Sequence, residues 1–354
     1  MAEENTPKDR LAWGILATGR IAGSFARDVI RSQHGRLAAV GSRSRESAQR
    51  FARDFPGIRA HASYEDLLAD DGVQAVYIAA PHPQHAEWAV RSAAAGKHVL
   101  CEKPAGLNHR EMLAMAGAAR THKVLFMEAF MYRCHPQTAK IVEMVRDGAL
   151  GEIRLVQSAF GFNAPFDPLS RLWSKAAGGG GILDVGCYPV SMARLLAGAA
   201  AGMPFLDPVE VTGSGLLHPG TGVDTVAAAT LKFATGLVAQ VAASVGIEQD
   251  NTLRVYGTAG MLCVPAPFTP SCEGVPARFS LRAHGKAEEI SIVTPATLYG
   301  LEADAFATAL DEGRSEVPAM TVADSLGNMD ALDRWREAIG LVYEQEMGGS
   351  GPAA

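Results

Sequence analysis

The chain has 354 residues, of which 48% are hydrophobic and 20% charged. This length favours two domains, since a single hydrophobic core rarely grows beyond roughly 250–300 residues. The net charge is −6 and no run of Lys or Arg stands out, which argues against nucleic acid or an anionic membrane surface as a partner.

The first ten residues are polar and lack the apolar region of a signal peptide. No uninterrupted apolar stretch approaches the roughly 18 residues of a membrane span. The five cysteines are odd in number and form no CxxC pair, which argues against a disulfide framework or a zinc site. We therefore expect a cytoplasmic protein without a bound metal.

Strand and helix patterns alternate in the first third of the chain. Apolar strands are predicted at residues 11–18, 36–44, 73–81, 98–104 and 123–130. The helices predicted between them cover residues 20–33, 45–55, 61–70, 85–97 and 111–122, with Ser63 as a helix N-cap. Such alternation predicts a parallel, doubly wound sheet, and we assign residues 1–134 to this Rossmann domain.

The pattern changes after about residue 135. Strands with alternating polarity are predicted at residues 152–162, 225–234, 237–247, 252–256, 261–264, 278–283 and 288–293. Helices are predicted at residues 136–151, 299–312 and 321–344. The predicted fold class is therefore α/β, with a C-terminal α+β domain at 135–346 built on a large, mostly antiparallel open sheet, and a disordered tail at 347–354.

The turn after the first strand has the pattern of a dinucleotide-binding loop. In the fingerprint G-x-G-x-x-G/A, Ala17 replaces the first glycine, Gly19 is the second and Ala22 is the last small residue. Small-residue turns are common, but this one opens the first βαβ unit, where a helix N-terminus binds phosphates. The residues expected to contact the cofactor here are Thr18, Gly19, Arg20 and Ile21.

The end of the second strand distinguishes the two nicotinamide dinucleotides. An NAD site usually has an acidic residue there for the ribose 2′-hydroxyl, whereas NADP needs a cation for the 2′-phosphate. Here Ser42 and Arg43 stand in place of the acid. The predicted cofactor is NADP, with NAD possible; the alternative is that Arg43 is merely solvated at a helix start.

Two further segments contain charged or aromatic residues next to a predicted buried strand or helix. Glu102, Lys103 and Pro104 end a buried strand, and a run of four glycines precedes Asp184 and Tyr188. Residues four apart share one face of a helix. Taken alone, these are a solvated turn, a helix cap and a packed aromatic ring, and the glycines indicate either flexibility or close approach to a bulky group.

Together these segments resemble the glucose–fructose oxidoreductase/inositol dehydrogenase (Gfo/Idh/MocA) family. The resemblance rests on Gly19-Arg20-Ile21-Ala22, Glu102-Lys103-Pro104 and Asp184-Val-Gly-Cys-Tyr188, and it extends from Trp13 to about residue 340. The tyrosine form of the second motif is most similar to the branch of dihydrodiol and NADP-dependent xylose dehydrogenases. The departure from the family pattern is Ala17.

The resemblance implies an NAD(P)-dependent oxidoreductase. It would transfer a hydride between the nicotinamide and a carbinol or carbonyl of a sugar, polyol or cyclic diol. Lys103, Asp184 and Tyr188 would be the catalytic residues, with Tyr188 as acid and base. A tyrosine with an ordinary pKa near ~10 needs a nearby cation to act as a base, and Lys103 would supply it. Asp184 would orient the substrate hydroxyls.

Other residues at the same edge of the sheet are expected to line the site. Pro81, His85 and Glu102 are candidate cofactor contacts, with a helix-capping histidine as the alternative for His85. The candidate substrate contacts are Arg133, Phe166, Arg171 and Trp173. For Arg133 the alternative is packing between the domains.

Two other function classes fit the same fold. A redox-cycling glycosidase would hold NAD permanently, against which Ser42 and Arg43 argue, and a non-catalytic cofactor sensor would not need the three catalytic residues. We also expect a homodimer or a dimer of dimers. It would form through the open face of the second sheet, with these residues facing outward: Ala227, Ala229, Ala239 and Val241.

Overall fold

The computed structural model describes residues 10–343 and residue 346, so the predicted disordered tail lies outside the described residues. The first domain is a six-stranded parallel sheet in the order β3-β2-β1-β4-β5-β6. Its strands are β1 Leu11–Leu16, β2 Gly35–Gly41, β3 Arg59–His61, β4 Ala75–Ile78, β5 His98–Glu102 and β6 Phe126–Ala129. Its helices are α1 Arg20–Val29, α2 Arg45–Asp54, α3 Tyr64–Leu68, α4 His85–Ala94 and α5 His109–His122. The predicted doubly wound sheet is confirmed.

The central strands are buried on both faces, which explains their continuous apolar character. In the core beneath them the Phe25 ring stacks on Tyr77, with 3.8 Å between centroids, and meets Trp13 edge to face. Trp13 also contacts Phe306 of the second domain at 5.2 Å, so the two domains share this core. The predicted N-cap is present, since the Ser63 side chain accepts a hydrogen bond from the amide of Asp66 over 3.0 Å.

The second domain is built on an eight-stranded sheet in the order β14-β13-β12-β11-β7-β10-β9-β8, in which only β7 and β10, among the described strands, pair in parallel. Its strands are β7 Ile153–Gly161, β8 Glu210–Leu217, β9 Asp224–Lys232, β10 Val238–Ser244, β11 Leu253–Gly257, β12 Gly260–Val264, β13 Ala277–Ala283 and β14 Lys286–Ile292. Its helices are α6 Pro136–Arg146, α7 Cys187–Ala200, α8 Leu298–Asp311 and α9 Val322–Ala338. The predicted, mostly antiparallel sheet is confirmed.

Two details of this domain differ from the sequence prediction. The edge strand β8 was not predicted, because it is largely exposed and contains two glycines. Helix α9 ends at Ala338 rather than continuing to residue 344, because Gly340 takes a φ of +69°, the left-handed conformation typical of a helix C-terminus.

The predicted outward face of the second sheet was wrong by one residue. The predicted outward residues are all buried against the domain's own helices: Ala227, Ala229, Ala239 and Val241. Their neighbours Ala228, Thr230 and Gln240 are exposed instead. Since small residues occupy both faces of β9 and β10, hydropathy does not show which set points inward, and a shift of one residue exchanges the faces.

The core of the second domain is the segment Lys175–Ala200, which is helical except at residues 178–180 and ends in α7. This segment is long and apolar enough to cross a membrane, but its most apolar 18 residues are entirely buried inside the protein. Every residue of α7 except the last is buried. A helix packed on all sides is a rigid support for the side chains at its start.

Candidate active site

A cleft of about 710 Å³ lies between the carboxyl ends of the first domain's strands and the start of the helical stretch that leads into α7. Ligands bind at this edge in open α/β sheets. All of the predicted cofactor and catalytic residues line it: Thr18, Gly19, Arg20, Ile21, Ser42, Arg43, Pro81, His85, Glu102, Lys103, Asp184 and Tyr188. One cleft therefore runs from the end of β2 to Tyr188.

The turn predicted to bind phosphate has a left-handed residue at its start although the first glycine is missing. Ala17 has a φ of +88°, a left-handed conformation that glycine adopts more easily, and its amide donates to Gly41 O over 3.0 Å. Gly19 is the N-cap of α1, and a side chain there would project into open space. No described side chain caps this helix and no acidic residue lies in its first turn, so its amides and dipole suit an anion.

The end of β2 presents a hydroxyl and a guanidinium to the cleft. Ser42 is buried and its Oγ accepts from the Ser44 amide over 3.3 Å, while Arg43 is exposed and hydrogen-bonds Tyr64. The only carboxylates among the described lining residues are Glu102 and Asp184, in other parts of the cleft. This end therefore fits a phosphate better than the ribose 2′-hydroxyl that an acidic residue would bind.

Lys103 connects the two domains at the other end of the cleft. It follows β5, and its Nζ donates to the backbone carbonyl of Asp184 over 2.7 Å. The same ammonium lies 5.1 Å from the centre of the Tyr188 ring, within cation–π distance. The three residues that the resemblance implies as catalytic thus meet in one place.

Glu102 lies beneath this group and is buried. It accepts hydrogen bonds from the Tyr77 hydroxyl and, over 3.1 Å, from the amide of Lys103. Burial raises the pKa of the Glu102 carboxyl, although the charge of Lys103 opposes the shift. Glu102 therefore holds the turn that directs Lys103 into the cleft.

Asp184 forms an ion pair with Arg171, whose Nη2 lies 2.8 Å from Asp184 Oδ1. Burial acts to raise the pKa of Asp184, but the charges of Lys103 and Arg171 outweigh it, so the pKa is lower than usual. Asp184 is consequently ionised at neutral pH. A buried, ionised carboxylate with a half-exposed partner can accept hydrogen bonds from substrate hydroxyls.

Tyr188 is only 5% exposed and is surrounded by aromatic rings. Those rings are Phe130, Tyr132, Phe160 and Phe268, with centroids 5.2–5.8 Å from that of Tyr188. Burial, and then the charge of Glu102, raises the pKa of Tyr188 well above its usual value. The phenol is therefore protonated, whereas we expected Lys103 to favour the phenolate. Lys103 lies over the ring and donates to Asp184, so it does not offset the loss of solvent.

Two histidines follow β4. His85 is fully buried, and its ring nitrogens lie 2.9 Å from Pro104 O and 2.8 Å from Ala80 O, in the segments that follow β5 and β4; a neutral ring has one N–H and donates to one of these carbonyls. Burial lowers the pKa of His85 to about 4, which keeps the ring neutral.

His82 also lines the cleft, with Nδ1 3.2 Å from Gly178 O, and was not predicted. Its place directly after β4 was the available signal.

The four predicted substrate contacts do not all lie at the cleft. Among them, only Arg171 lines the cleft, together with its neighbour Leu172. Trp173 is buried behind the cleft wall, where its Nε1 donates to Pro165 O over 3.1 Å. Phe166 is 54% exposed and packs on Trp173 and His218 at the surface.

Arg133 lies outside the cleft. Its guanidinium is buried against Asp324, with 2.5 Å between Nη2 and Oδ2, and also donates to Ser191 Oγ and Ala319 O. A buried arginine needs such a partner, and Asp324 comes from α9. The alternative of packing between the domains therefore describes the contacts of Arg133 better than substrate contact. The aromatic lining residues Phe160, Phe162 and Tyr299 were also missed, because they come from distant parts of the chain.

Comparison with known proteins agrees with this geometry. Residues 11–130 match the model of an oxidoreductase family with an NAD-binding Rossmann fold, and residues 138–263 match that of the GFO/IDH/MocA C-terminal domain. The trans-1,2-dihydrobenzene-1,2-diol dehydrogenase of Mus musculus is 32% identical over 341 residues, which cover 95% of this chain and 99% of that protein. An oxidoreductase of Rhizobium meliloti is 33% identical, over 92% and 96% of the two chains.

Solved structures show the same architecture. A 3-ketoreductase from Actinomadura kijaniata, in complex with NADP and TDP-benzene, superposes with a TM-score of 0.82 at 29% identity, over 93% of this chain and 98% of that one. An aldose-aldose oxidoreductase from Caulobacter crescentus, complexed with glycerol, has a TM-score of 0.82 at 24% identity, over 93% and 97%, and supports the fold alone. With both of its domains matched, the chain belongs to the GFO/IDH/MocA family of NAD(P)-binding oxidoreductases.

Proposed function

We propose that this enzyme transfers a hydride between NADP and a carbinol or carbonyl carbon of a sugar, polyol or cyclic diol. The observation that carries the proposal is the meeting of Lys103, Asp184 and Tyr188 at the inner end of a cleft whose outer end suits a phosphorylated ribose. In this proposal residues 1–134 bind the nucleotide and residues 135–346 complete the substrate side.

The cofactor side is supported by three features of the first domain. The amides at the start of α1 face the cleft without a side-chain cap and suit the pyrophosphate. Ser42 and Arg43 would bind the 2′-phosphate, Arg43 through its planar guanidinium. When bound, the nicotinamide ring supplies or accepts the hydride. NADP is present in the solved structure of the related 3-ketoreductase, which is consistent with this preference.

Proton transfer is assigned to Tyr188. A phenol whose pKa is raised by burial keeps its proton at neutral pH, which suits donation to the oxygen of a carbonyl that is being reduced. In this role Lys103 stabilises the negative charge that develops on the same oxygen or on the phenol as the proton leaves. A protonated Tyr188 is therefore the form required at the start of carbonyl reduction.

Substrate orientation is assigned to Asp184 and Arg171. The ionised carboxylate would accept hydrogen bonds from substrate hydroxyls, and Arg171 would hold it in place. Phe160, Phe162 and Leu172 offer apolar surface beside these groups. A small polyhydroxylated ring with one apolar face fits such a lining. The relative from Mus musculus is a dihydrodiol dehydrogenase, which agrees with this class.

The test is a panel of sugars, polyols and cyclic diols, assayed in both directions by nicotinamide absorbance, with NADP and NAD in parallel. The proposal expects turnover that is coupled to NADP and faster than with NAD. Tightly bound NAD in the purified protein, together with glycoside cleavage and no net consumption of added NADP, would support the redox-cycling glycosidase instead. Binding of NADP without turnover of any member of the panel would favour a sensor.

A further inference from the structure

Two of the four glycines before Asp184, Gly179 and Gly180, approach other groups too closely to tolerate side chains. A Cβ on Gly179 would lie 2.4 Å from Arg171 O, and one on Gly180 would lie 2.0 Å from Asp224 Oδ1. Gly180 also has a φ of +109°, which side chains rarely adopt. Residues 178–181, which we call the glycine turn, are thus held against their surroundings rather than free to move.

Asp224 holds the glycine turn from one side. It is the first residue of β9 and is fully buried. Its Oδ2 accepts a hydrogen bond from the amide of Ile182 over 2.7 Å, and the amide of Gly181 also lies close to this carboxyl. These amides begin the helical stretch that carries Asp184 and Tyr188, whose first turn would otherwise have unpaired donors.

Tyr343 holds the same turn by a separate contact. It lies after α9 and is fully buried, and its hydroxyl donates to Gly179 O over 2.8 Å. Neither Tyr343 nor Asp224 lines the cleft. Two buried side chains from distant segments therefore hold the backbone that leads into Asp184 and Tyr188. Lys103, by contrast, belongs to the other domain.

We propose that Asp224 and Tyr343 are positioning residues that set Asp184 and Tyr188 at their working distance from Lys103. An inward-facing reactive group has to be held to within a fraction of an ångström, and a displacement of about 1 Å that originates far from the chemistry lowers the rate by about 10²-fold. The proposal rests on the proposed hydride transfer, and it gives the two residues a role that packing alone would not.

Because Asp224 can ionise, the effect of its substitution on stability can be separated from its effect on the positions of Asp184 and Tyr188. Arg336 and Tyr343 are ionisable side chains whose charges interact with this group, and the amides of residues 181 and 182 lie against it. Burial raises the pKa of Asp224 to about 7, although the amide of Ile182 opposes the shift. Because this pKa lies above the unfolded value of about 3.9, the ionised carboxylate opposes folding increasingly as the pH rises towards 7. A neutral isostere should thus lose little stability at alkaline pH.

The experiment compares Asp224→Asn and Tyr343→Phe with a matched control, Asp207→Asn. Asp207 accepts from Arg194 of the same helix α7 over 2.9 Å, but away from the glycine turn. Substitution at Asp224 or Tyr343 should lower kcat by about tenfold to hundredfold. The Kd for NADPH should stay unchanged because the phosphate-binding turn is untouched. Amide hydrogen exchange should become faster in residues 180–188. The control should change neither kcat nor this exchange.

The outcomes separate this inference from the proposed function. Wild-type activity that both variants retain in full would overturn the positioning role, whatever the exchange data show. If the wild type turns over no substrate, the proposed function fails, and exchange decides the inference alone: unchanged protection of residues 180–188 in both variants overturns it. Should Asp224→Asn not fold, Tyr343→Phe, which removes a single hydroxyl, decides in its place.

Discussion

The ammonium of Lys103 donates to the backbone carbonyl of Asp184 over 2.7 Å, so a side chain of one domain is bonded to the main chain of the other at the inner end of the cleft. This contact explains why β5 ends in charged residues: the topology brings Lys103 and its partner Asp184 to the same edge of the first sheet. It also means that the arrangement of Lys103 and Tyr188 depends on how the domains pack. The shared core of Trp13 and Phe306 and the buried pair of Arg133 and Asp324 support that packing.

The first prediction concerns cofactor choice. Arg43→Ala should raise the KM for NADP by about tenfold or more and change that for NAD little, because only NADP carries the 2′-phosphate. A lost charge-assisted contact is worth roughly 1.5–3 kcal/mol. Arg45→Ala is the matched control, since Arg45 is exposed near by and does not line the cleft. Equal effects of Arg43→Ala on both cofactors would refute the 2′-phosphate contact.

A second prediction follows from the positive φ of Ala17. Left-handed backbone costs a residue with a Cβ roughly 1–2 kcal/mol, and glycine avoids most of this cost. Ala17→Gly should therefore raise the free energy of unfolding by about 0.5–1 kcal/mol in urea titrations, after allowing for the greater freedom of glycine in the unfolded chain. Ala22→Gly is the matched control: glycine is unfavourable inside helix α1, so this substitution should lower the free energy of unfolding by about 1 kcal/mol. A loss of stability in Ala17→Gly would show that Ala17 is not strained.

The third prediction concerns the buried acid Glu302 of α8. It is fully buried, and among the described residues neither of its oxygens has a hydrogen-bond partner. Burial, and then the charge of Glu102, raises the pKa of Glu302 well above its usual value. The stability that the neutral acid contributes is fully present below the unfolded pKa of about 4.3 and is lost as the pH rises towards the folded pKa.

Glu302→Gln should remove this dependence. Relative to the wild type, its free energy of unfolding should rise as the pH increases above the unfolded pKa of about 4.3. The exposed Glu337→Gln is the control and should show no such trend. Urea unfolding at several pH values measures both variants. A difference between Glu302→Gln and the wild type that does not change with pH would mean that Glu302 is ionised in the folded protein.

The fourth prediction is a homodimer or dimer of dimers formed through the open face of the second sheet. Uncharged side chains are exposed at the centre of this face, among them Ala228, Thr230 and Gln240, and Gln240 pairs with Gln157 over 2.7 Å. A flat face of this kind suits a second copy of itself. Light scattering at micromolar concentration should give at least twice the monomer mass. Thr230→Arg, which places like charges opposite each other in a symmetric interface, should shift the protein towards the monomer. A monomeric wild type would rule out this assembly.

Local sequence patterns predicted much of the fold and of the candidate site. Continuous apolar strands identified the parallel sheet, since strands covered by helices on both faces leave no polar alternation. The resemblance to a known family pointed to Lys103, Asp184 and Tyr188, and their place at strand and helix ends explains why they meet. In each case a few consecutive residues contain the relevant pattern.

What could not be predicted depends on contacts between distant segments. The inward face of β9 is set by the helices that cover it, and the partner of Arg133 comes from α9. The role of the four glycines depends on Asp224, some 40 residues further along the chain. The protonation of Tyr188 depends on the rings that exclude water from it, which belong to several elements. None of these contacts appears as a local pattern.

The central claim is that Lys103 and Tyr188 act as one proton-transfer unit. The most direct test is a double-mutant cycle on kcat with Lys103→Met, Tyr188→Phe and the double variant, with NADPH binding measured separately by fluorescence. General acid–base catalysis is worth about 10²–10⁴-fold, so each single variant should lose about that much activity while still binding NADPH. The double variant should be barely slower than the slower single one, because residues that share a step are not additive. If Tyr188→Phe keeps most of its activity, or if the two losses multiply in the double variant, Lys103 and Tyr188 do not share one step and the assignment is contradicted.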